Sequence, residues 1–208
     1  NRHNMKKYIL NPHWILLPLA AFIWNQVIYQ GAFFLTASRH HFDFALPVDS
    51  TIPLIPWTIV IYYGCFLHWG LHYICVAKLG NRNTRQFYAA DFLIKSVSFL
   101  FFLCLPTVLH RPEVTGTGFW NDAIRFLYWM DKPYNLFPSI HCSVSWLCWI
   151  SVRKNTQVPK WYRYFALIAA IAVCLSTLTT RQHVLVDIAG GLLVAEVCWA
   201  LAAKSLPH

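Results

Sequence analysis

The chain has 208 residues, of which 57% are hydrophobic and only 12% are charged. Soluble domains carry about 25% charged residues, so this chain has too few polar side chains to cover a compact water-soluble body. Its positive mean hydropathy of +0.43 and its abundant aromatic residues also exclude a disordered, collagen-like or coiled-coil chain. The composition predicts an integral membrane protein, with residues 1–208 forming a single membrane domain.

Long stretches with few charged residues predict six transmembrane helices. A bilayer core of about 30 Å needs roughly 20 apolar residues at a rise of about 1.5 Å each. In chain order, the predicted helices cover residues 14–38, 50–77, 86–109, 138–152, 164–180 and 183–203. The predicted fold class is therefore all-α, a polytopic membrane bundle. The longest connection, residues 110–137, is rich in Gly, Pro and charge and is predicted to be non-helical.

The predicted loops carry their basic residues unevenly. With the N-terminus in the cytoplasm and six crossings, eleven Lys and Arg residues lie on the cytoplasmic side and five lie on the opposite side. Cytoplasmic loops of membrane proteins carry an excess of Lys and Arg, so the pattern predicts that both termini are cytoplasmic. It also accounts for the net charge of +9 without a nucleic-acid partner.

Most polar residues inside the predicted helices are explained by packing. Asp91 and Lys95 lie four residues apart and are expected to neutralise each other, and Glu196 is expected to contact a packing partner. His68 and His72 are also four apart and could bind a metal or haem, but their predicted depth favours polar packing. The seven cysteines show no metal-binding spacing and are expected to be buried free thiols, so no metal or other cofactor is predicted.

Histidine and arginine residues gather at the predicted outer ends of three helices. Arg111 follows the third predicted helix, His141 begins the fourth, and Arg181 and His183 mark the start of the sixth. Arg presents a fork of donors to phosphate oxygens, and His acts as an acid, a base or a nucleophile near neutral pH. The pattern indicates an oxyanion site at the non-cytoplasmic face.

Two local patterns support this interpretation. His183 and Asp187 are four residues apart on a predicted helix, so Asp187 can accept a hydrogen bond from the His183 Nδ1–H and leave Nε2 as a nucleophile. Pro138 and Ser139 are typical of a helix start, where free backbone N–H groups around Ser139 and Ile140 favour an anion. We therefore expect phosphate to dock against this helix start.

These motifs resemble those of the type 2 phosphatidic acid phosphatase superfamily. The family pattern is Lys-x6-Arg-Pro, then Pro-Ser-Gly-His, then Ser-Arg-x5-His-x3-Asp. The corresponding residues in this chain are Arg111-Pro112, Pro138-Ser139-Ile140-His141, and Ser176 with His183 and Asp187. The resemblance covers residues 111–191, and the order of the motifs and the six-helix layout fit it.

The resemblance implies a role for each matching residue. The residue at His183 attacks phosphorus and forms a phosphohistidine, and the residue at Asp187 orients it. The residue at His141 protonates the leaving oxygen. Arg111 and the turn at Ser139 are implied to hold phosphate oxygens.

The chain departs from the family pattern at three positions. The family Lys falls at Cys104, the motif Gly is Ile140, and the Arg after Ser is Thr177. Arg181 is predicted to supply the missing positive charge from a different backbone position. The changed first and third motifs resemble the branch that contains relatives of inositol phosphorylceramide synthase and sphingomyelin synthase.

The resulting functional hypothesis is a metal-independent phosphatase that acts on a membrane lipid phosphate or diphosphate at the non-cytoplasmic face. One alternative is a lipid phosphotransferase that uses the same site, and a second is a non-catalytic lipid-binding or transport protein. Compact size and short loops favour a multi-pass protein of a bacterial cytoplasmic membrane, with the site facing outward. The lipid, the oligomeric state and the choice between hydrolase and transferase stay open.

Overall fold

The computed structural model describes residues 13–205, and this part of the chain contains seven α-helices. They are α1 (His13–Thr36), α2 (Ile59–Leu79), α3 (Arg82–Cys104), α4 (Phe119–Met130), α5 (Ile140–Val152), α6 (Lys160–Thr179) and α7 (Leu185–Ser205). Two short 3₁₀ helices, Pro47–Thr51 and Pro56–Thr58, precede α2. Within residues 13–205, β pairing is limited to isolated bridges. The all-α prediction is therefore confirmed.

Five of these helices, α1, α2, α3, α6 and α7, are long and apolar enough to cross a membrane. The sixth predicted span corresponds to α5, which has only 13 residues. At about 1.5 Å per residue it extends about 20 Å, which is less than the roughly 30 Å of a bilayer core. The structure therefore supports a multi-pass membrane bundle, while the count of six spans and the cytoplasmic termini stay predictions.

Helix α4 corrects the prediction that residues 110–137 are non-helical. Its inner face buries Ile124 and Leu127 against Ile59 and Tyr62 of α2. Its outer face leaves large aromatic side chains exposed, namely Phe119, Trp120, Phe126 and Trp129. The amphipathic stretch is flanked by glycines and prolines, whose turn signals dominate the segment as a whole.

The core of the bundle forms where α5 packs against α6 and α7, and where α3 packs against α1 and α7. Its buried apolar side chains include Phe87, Ile94, Leu147 and Cys148. All seven cysteines are free, as predicted, but Cys75 and Cys104 lie on the protein surface rather than in the core.

The buried ion pair of α3 behaves as the sequence predicts. Lys95 Nζ lies 2.7 Å from Asp91 Oδ2, and both side chains are almost completely buried. Lys95 also donates to the Ala21 carbonyl at 3.0 Å, and the Tyr73 hydroxyl donates to Asp91. Each charge thus has a partner, which offsets the cost of removing it from water.

Polar contacts explain Glu196 and His72, but not His68. The Glu196 carboxylate accepts from Arg153 Nη1 and Nη2 at 2.7 and 2.8 Å, which confirms its packing role. His72 lies 2.7 Å from the Tyr162 hydroxyl through Nδ1 and 3.1 Å from Ser151 Oγ through Nε2. Both ring nitrogens of His72 are therefore engaged in polar packing, as predicted, whereas the buried His68 Nε2 has no hydrogen-bond partner among residues 13–205.

Gly191 allows α7 to approach the start of α5 closely. A Cβ atom at this position would lie 2.7 Å from the Ser139 carbonyl oxygen and 3.1 Å from Ser143 Oγ. Since one of these neighbours is backbone, we expect Gly191→Ala to reduce the free energy of unfolding by about 1–3 kcal/mol. For a chain of this size that lowers Tm by about 2–4 °C per kcal/mol, measured in detergent.

The matched control for this prediction is Gly64→Ala in α2. A Cβ atom at Gly64 meets nothing within 4 Å, so the same substitution leaves the packing undisturbed. We expect its Tm to equal or exceed that of the wild type, because Ala favours helices over Gly. Equal losses in the two variants would contradict the steric explanation.

Candidate functional site

The polar residues of the predicted site meet at one end of the bundle, where α3 ends and where α5 and α7 begin. Two extended segments connect there, with Leu109 N donating to the Pro133 carbonyl at 3.1 Å and Asn135 N donating to the Thr107 carbonyl at 2.8 Å. This pairing brings the segment after α3 alongside the segment after α4.

His183 and Asp187 form the contact that the sequence predicts. His183 Nδ1 lies 3.2 Å from Asp187 Oδ2, and both residues are buried. However, α7 begins at Leu185, so His183 lies in the preceding turn and not on the helix. The His183 N–H donates to the Thr177 carbonyl at 3.1 Å, which holds its backbone in the α6–α7 turn. The same Asp187 oxygen accepts from Val184 N at 3.1 Å, so the carboxylate caps the helix as well as orienting the imidazole.

His141 lies in the first turn of α5 and faces His183. The centroids of the two imidazole rings are 5.8 Å apart. Tyr62, Trp69 and Phe66 of α2 surround the His141 ring, with centroid distances of 4.7, 5.6 and 5.7 Å. The structure therefore brings together the three residues that the sequence predicts to be catalytic.

Ser139 caps α5 in a way that differs from the prediction. Its N–H donates to the Asp187 carbonyl at 3.0 Å, and its Oγ accepts from Cys142 N at 3.3 Å. The Ser139 N–H is thus engaged within the protein, and phosphate binding at Ser139 stays a prediction. The first-turn N–H groups that this arrangement leaves for an anion belong to Ile140 and His141.

Arg111 is linked to the site by hydrogen bonds to Asp131 and to Gln182, the residue before His183. Its Nη1 donates to the Asp131 carbonyl at 2.5 Å, its Nη2 donates to Gln182 Oε1, and the guanidinium lies 4.8 Å from the centre of the Tyr128 ring. Burial lowers the pKa of Arg111, but an arginine stays protonated at neutral pH. Among residues 13–205, neither Arg111 Nε nor Gln182 Nε2 has a hydrogen-bond partner, although both atoms are buried. These two donors are thus unpaired in the part of the chain that the structure describes.

Arg181 lies on the other side of His183. Its backbone adopts the left-handed conformation (φ 56°), and its Nη1 donates to the carbonyls of Asp49 and Ile52. Together with His110 it lines a small cavity of about 120 Å³ that also reaches His183. The structure thus places Arg181 next to the nucleophile candidate but not beside His141. At Thr177, where the family has Arg, the side chain is buried and is bonded to the Cys174 carbonyl.

A larger cavity of about 500 Å³ extends from His141 and His183 between α1 and α2. Its walls come mainly from α1 and α2 and are rich in aromatic side chains, including Phe22, Phe66 and Trp69. We call this cavity the lipid groove, after the substrate class that the sequence predicts. Its size and apolar lining are suited to a hydrocarbon chain.

Two further residues at this end of the bundle lie outside the three motifs. Asp131 lines the lipid groove, where its carboxylate accepts from the hydroxyls of Tyr29 and Tyr62. Asp49 caps α7, because its Oδ1 accepts from Leu185 N at 2.9 Å. Their positions follow from contacts between distant parts of the chain.

Within residues 13–205, no group of three or more His, Cys, Asp and Glu side chains is placed to hold a metal ion. Searches of curated proteins and of solved structures found no match to this chain. A family model described as the PAP2 superfamily matches residues 39–201, a range that includes all three motifs. This match confirms the resemblance, and the chain belongs to the PAP2 superfamily, a family of phosphatases and phosphotransferases.

Proposed function

We propose that this protein removes phosphate from a membrane lipid phosphate or diphosphate through a phosphohistidine on His183. The observation that carries the proposal is the contact of His183 Nδ1 with Asp187 Oδ2 at 3.2 Å, opposite His141 at the end of the lipid groove. With the Nδ1–H donating to Asp187, Nε2 carries the lone pair. A nucleophile, its orienting group and a proton donor are thus close together.

In the first step, His183 Nε2 attacks the phosphorus atom in line with the bond to the lipid oxygen. The new N–P bond forms as that P–O bond breaks, and His141 gives a proton to the departing alkoxide or phosphate. Asp187 stabilises the positive charge that develops on the His183 ring. The products are a dephosphorylated lipid and a phosphorylated His183.

Negative charge on the transferred phosphoryl group meets donors already in place. Arg111 Nε and Gln182 Nε2 are buried without partners among the described residues, and the N–H groups of Ile140 and His141 begin α5. Arg181 contributes a further positive charge from the adjacent small cavity. Donors of this kind lower the barrier because they need no reorganisation during the reaction.

In the second step, water attacks the phosphorus atom of phosphohistidine. His141, neutral after its proton transfer, accepts a proton from this water, and the N–P bond breaks to release phosphate. A lipid alcohol in place of water would make the same site a phosphotransferase. Whether water or an alcohol accepts the phosphoryl group thus distinguishes a phosphatase from a phosphotransferase.

The distribution of charge supports a site at the non-cytoplasmic face. The opposite end of the bundle carries basic residues on three helix ends, including Lys78, Arg82 and Arg153, and this bias favours the cytoplasmic side. The site end carries acidic residues as well as basic ones. We therefore place the substrate in the outer leaflet, with a bacterial cytoplasmic membrane as the proposed location.

The test uses purified wild-type protein with phosphatidic acid, phosphatidylglycerol phosphate, a polyprenyl diphosphate and a sphingolipid phosphate, each labelled on phosphorus. Release of labelled phosphate that survives EDTA is the expected result. Label that moves into a new lipid when an alcohol acceptor is added would instead assign the transferase activity. Binding of these lipids without turnover of any of them would overturn the proposal in favour of a non-catalytic protein.

A further inference from the structure

Asp131 is an acidic residue in a place that should repel a phosphate. It lies just after α4, lines the lipid groove and is half-buried. Its Oδ2 accepts from the Tyr62 hydroxyl at 3.1 Å, and its Oδ1 accepts from the Tyr29 hydroxyl. Two helices, α1 and α2, thus contribute donors that hold this carboxylate at the end of the groove.

The Asp131 carboxylate has no cationic partner in direct contact. Within residues 13–205, no Lys, Arg or His nitrogen lies within 4.0 Å of its oxygens. Arg111 donates to the Asp131 backbone carbonyl and not to the side chain. A carboxylate that is partly removed from water and close to a phosphate site is unfavourable unless a nearby positive charge interacts with it.

Protonated His141 is the group that the negative charge of Asp131 would stabilise. The aromatic rings of Tyr62, Phe66 and Trp69 surround it and disfavour its protonated form. His183 faces it from the turn before α7, and a positive charge on His183 opposes one on His141. The proposed first step nevertheless needs His141 to hold a proton before the lipid oxygen departs.

The other charged groups near His141 are already engaged. Asp187 is bonded to His183, and Lys95, which lines the same groove, is paired with Asp91. Arg111 is bonded to Gln182 and to the Asp131 carbonyl, and no acid beyond Asp131 is placed beside the His141 ring in the described chain. Tyr62 links the two residues, since its ring packs on His141 while its hydroxyl donates to Asp131.

We propose that Asp131 is a positioning residue that favours the protonated form of His141 for the departure of the lipid oxygen. This inference rests on the proposed function. The negative charge of Asp131 stabilises the His141 imidazolium through space. Tyr62 contacts both residues and fixes their relative position. The Tyr29 and Tyr62 hydroxyls in turn hold the Asp131 carboxylate in place by donating to its oxygens.

The test compares two substrates in single turnovers, with enzyme in excess. One is an alkyl lipid phosphate, whose alkoxide needs a proton to leave, and the other is a lipid-like nitrophenyl phosphate, whose phenolate leaves without one. Asp131→Asn is expected to slow the alkyl substrate by about 10- to 100-fold at pH 8, a part of the effect of a general acid. The same variant is expected to change the aryl substrate by less than about threefold.

The ratio of the two rates is measured in one preparation, so the amount of folded protein cancels. Asp131→Glu restores the charge and is expected to restore the wild-type ratio, while Asp131→Ser provides a second neutral variant. The pH at which the alkyl rate begins to fall is expected to be lower in both neutral variants, because His141 then loses its proton more readily. An alkyl-to-aryl ratio that is unchanged in Asp131→Asn and Asp131→Ser would overturn the inference and leave Asp131 with a structural role.

A double-variant comparison separates this inference from the proposed function. His141→Ala alone is expected to shift the alkyl-to-aryl ratio in the same direction, and Asp131→Asn added to it is expected to have no further effect on the ratio. Independent, additive effects would contradict action through His141. If His183→Ala still turns over both substrates, the proposed function fails. If only the ratio fails to move, the role of Asp131 alone is wrong.

Discussion

His183→Ala is expected to reduce phosphate release by about 10⁴-fold or more, the scale seen when a catalytic nucleophile is removed. The variant lacks the Nε2 lone pair that attacks phosphorus, so no phosphoenzyme forms. Release of labelled phosphate measures the activity. Rapid quenching into alkali measures the phosphoenzyme, because phosphohistidine is stable in alkali and phosphoserine is not. Free imidazole is expected to restore part of the activity, because the truncated side chain leaves room beside the lipid groove.

The matched control is His40→Ala, which removes an exposed histidine from the same end of the bundle. His40 packs edge-on against Phe42 and does not line the groove. Its activity should stay within about twofold of the wild type, as is usual for surface substitutions. Labelled phosphoprotein that persists in His183→Ala, or activity within tenfold of the wild type, would exclude His183 as the nucleophile.

Hydropathy predicts the bundle well because spanning helices need long apolar stretches, a property that depends on composition alone. It fails at the ends of helices, where the outcome depends on capping and on neighbours. The 12-residue helix α4 is amphipathic, a pattern that the flanking Gly and Pro residues outweigh in the sequence, and it is stabilised because Ile124 and Leu127 find an apolar surface on α2. The same dependence on partners places His183 before α7 and not within it.

Some residues of the candidate site were likewise predictable from the sequence, and others were not. His141, His183 and Asp187 were predictable because they stand in spaced motifs at helix ends that must meet. Asp131 was not, because its partners Tyr29 and Tyr62 lie 102 and 69 residues away along the chain. Only the packing of α1 and α2 against the segment after α4 brings these groups together.

Two predicted phosphate-binding groups differ for local reasons. The Ser139 N–H is consumed by the Asp187 carbonyl, so the close packing of α5 and α7 uses a donor that a helix start would otherwise offer. The left-handed backbone of Arg181 directs its guanidinium to the carbonyls of Asp49 and Ile52. Neither the partner of an N–H group nor a backbone φ angle can be read from residue spacing.

Asp187→Asn is expected to have the second largest effect, a loss of about 10³- to 10⁴-fold in the rate of phosphoenzyme formation. Asp187 Oδ2 accepts from both His183 Nδ1 and Val184 N. Because one oxygen accepts both bonds, an asparagine whose oxygen takes that position keeps them and loses only the negative charge. An asparagine whose amide nitrogen takes that position loses the Val184 bond and presents a donor to His183 Nδ1. The imidazole proton then moves to Nε2, and the nucleophilic lone pair is lost. Single-turnover kinetics measure the rate, and ¹⁵N spectra of labelled histidine show which nitrogen carries the proton.

The control for this variant is Asp122→Asn, an exposed residue of α4 paired with Arg125. Removing one partner of an exposed pair costs about 0–1 kcal/mol, so we expect both activity and Tm to stay close to the wild type. A loss of activity in Asp187→Asn with His183 still protonated on Nδ1 would contradict the tautomer argument. The loss would then come from the missing negative charge or from a weakened cap of α7, and only the weakened cap would lower Tm.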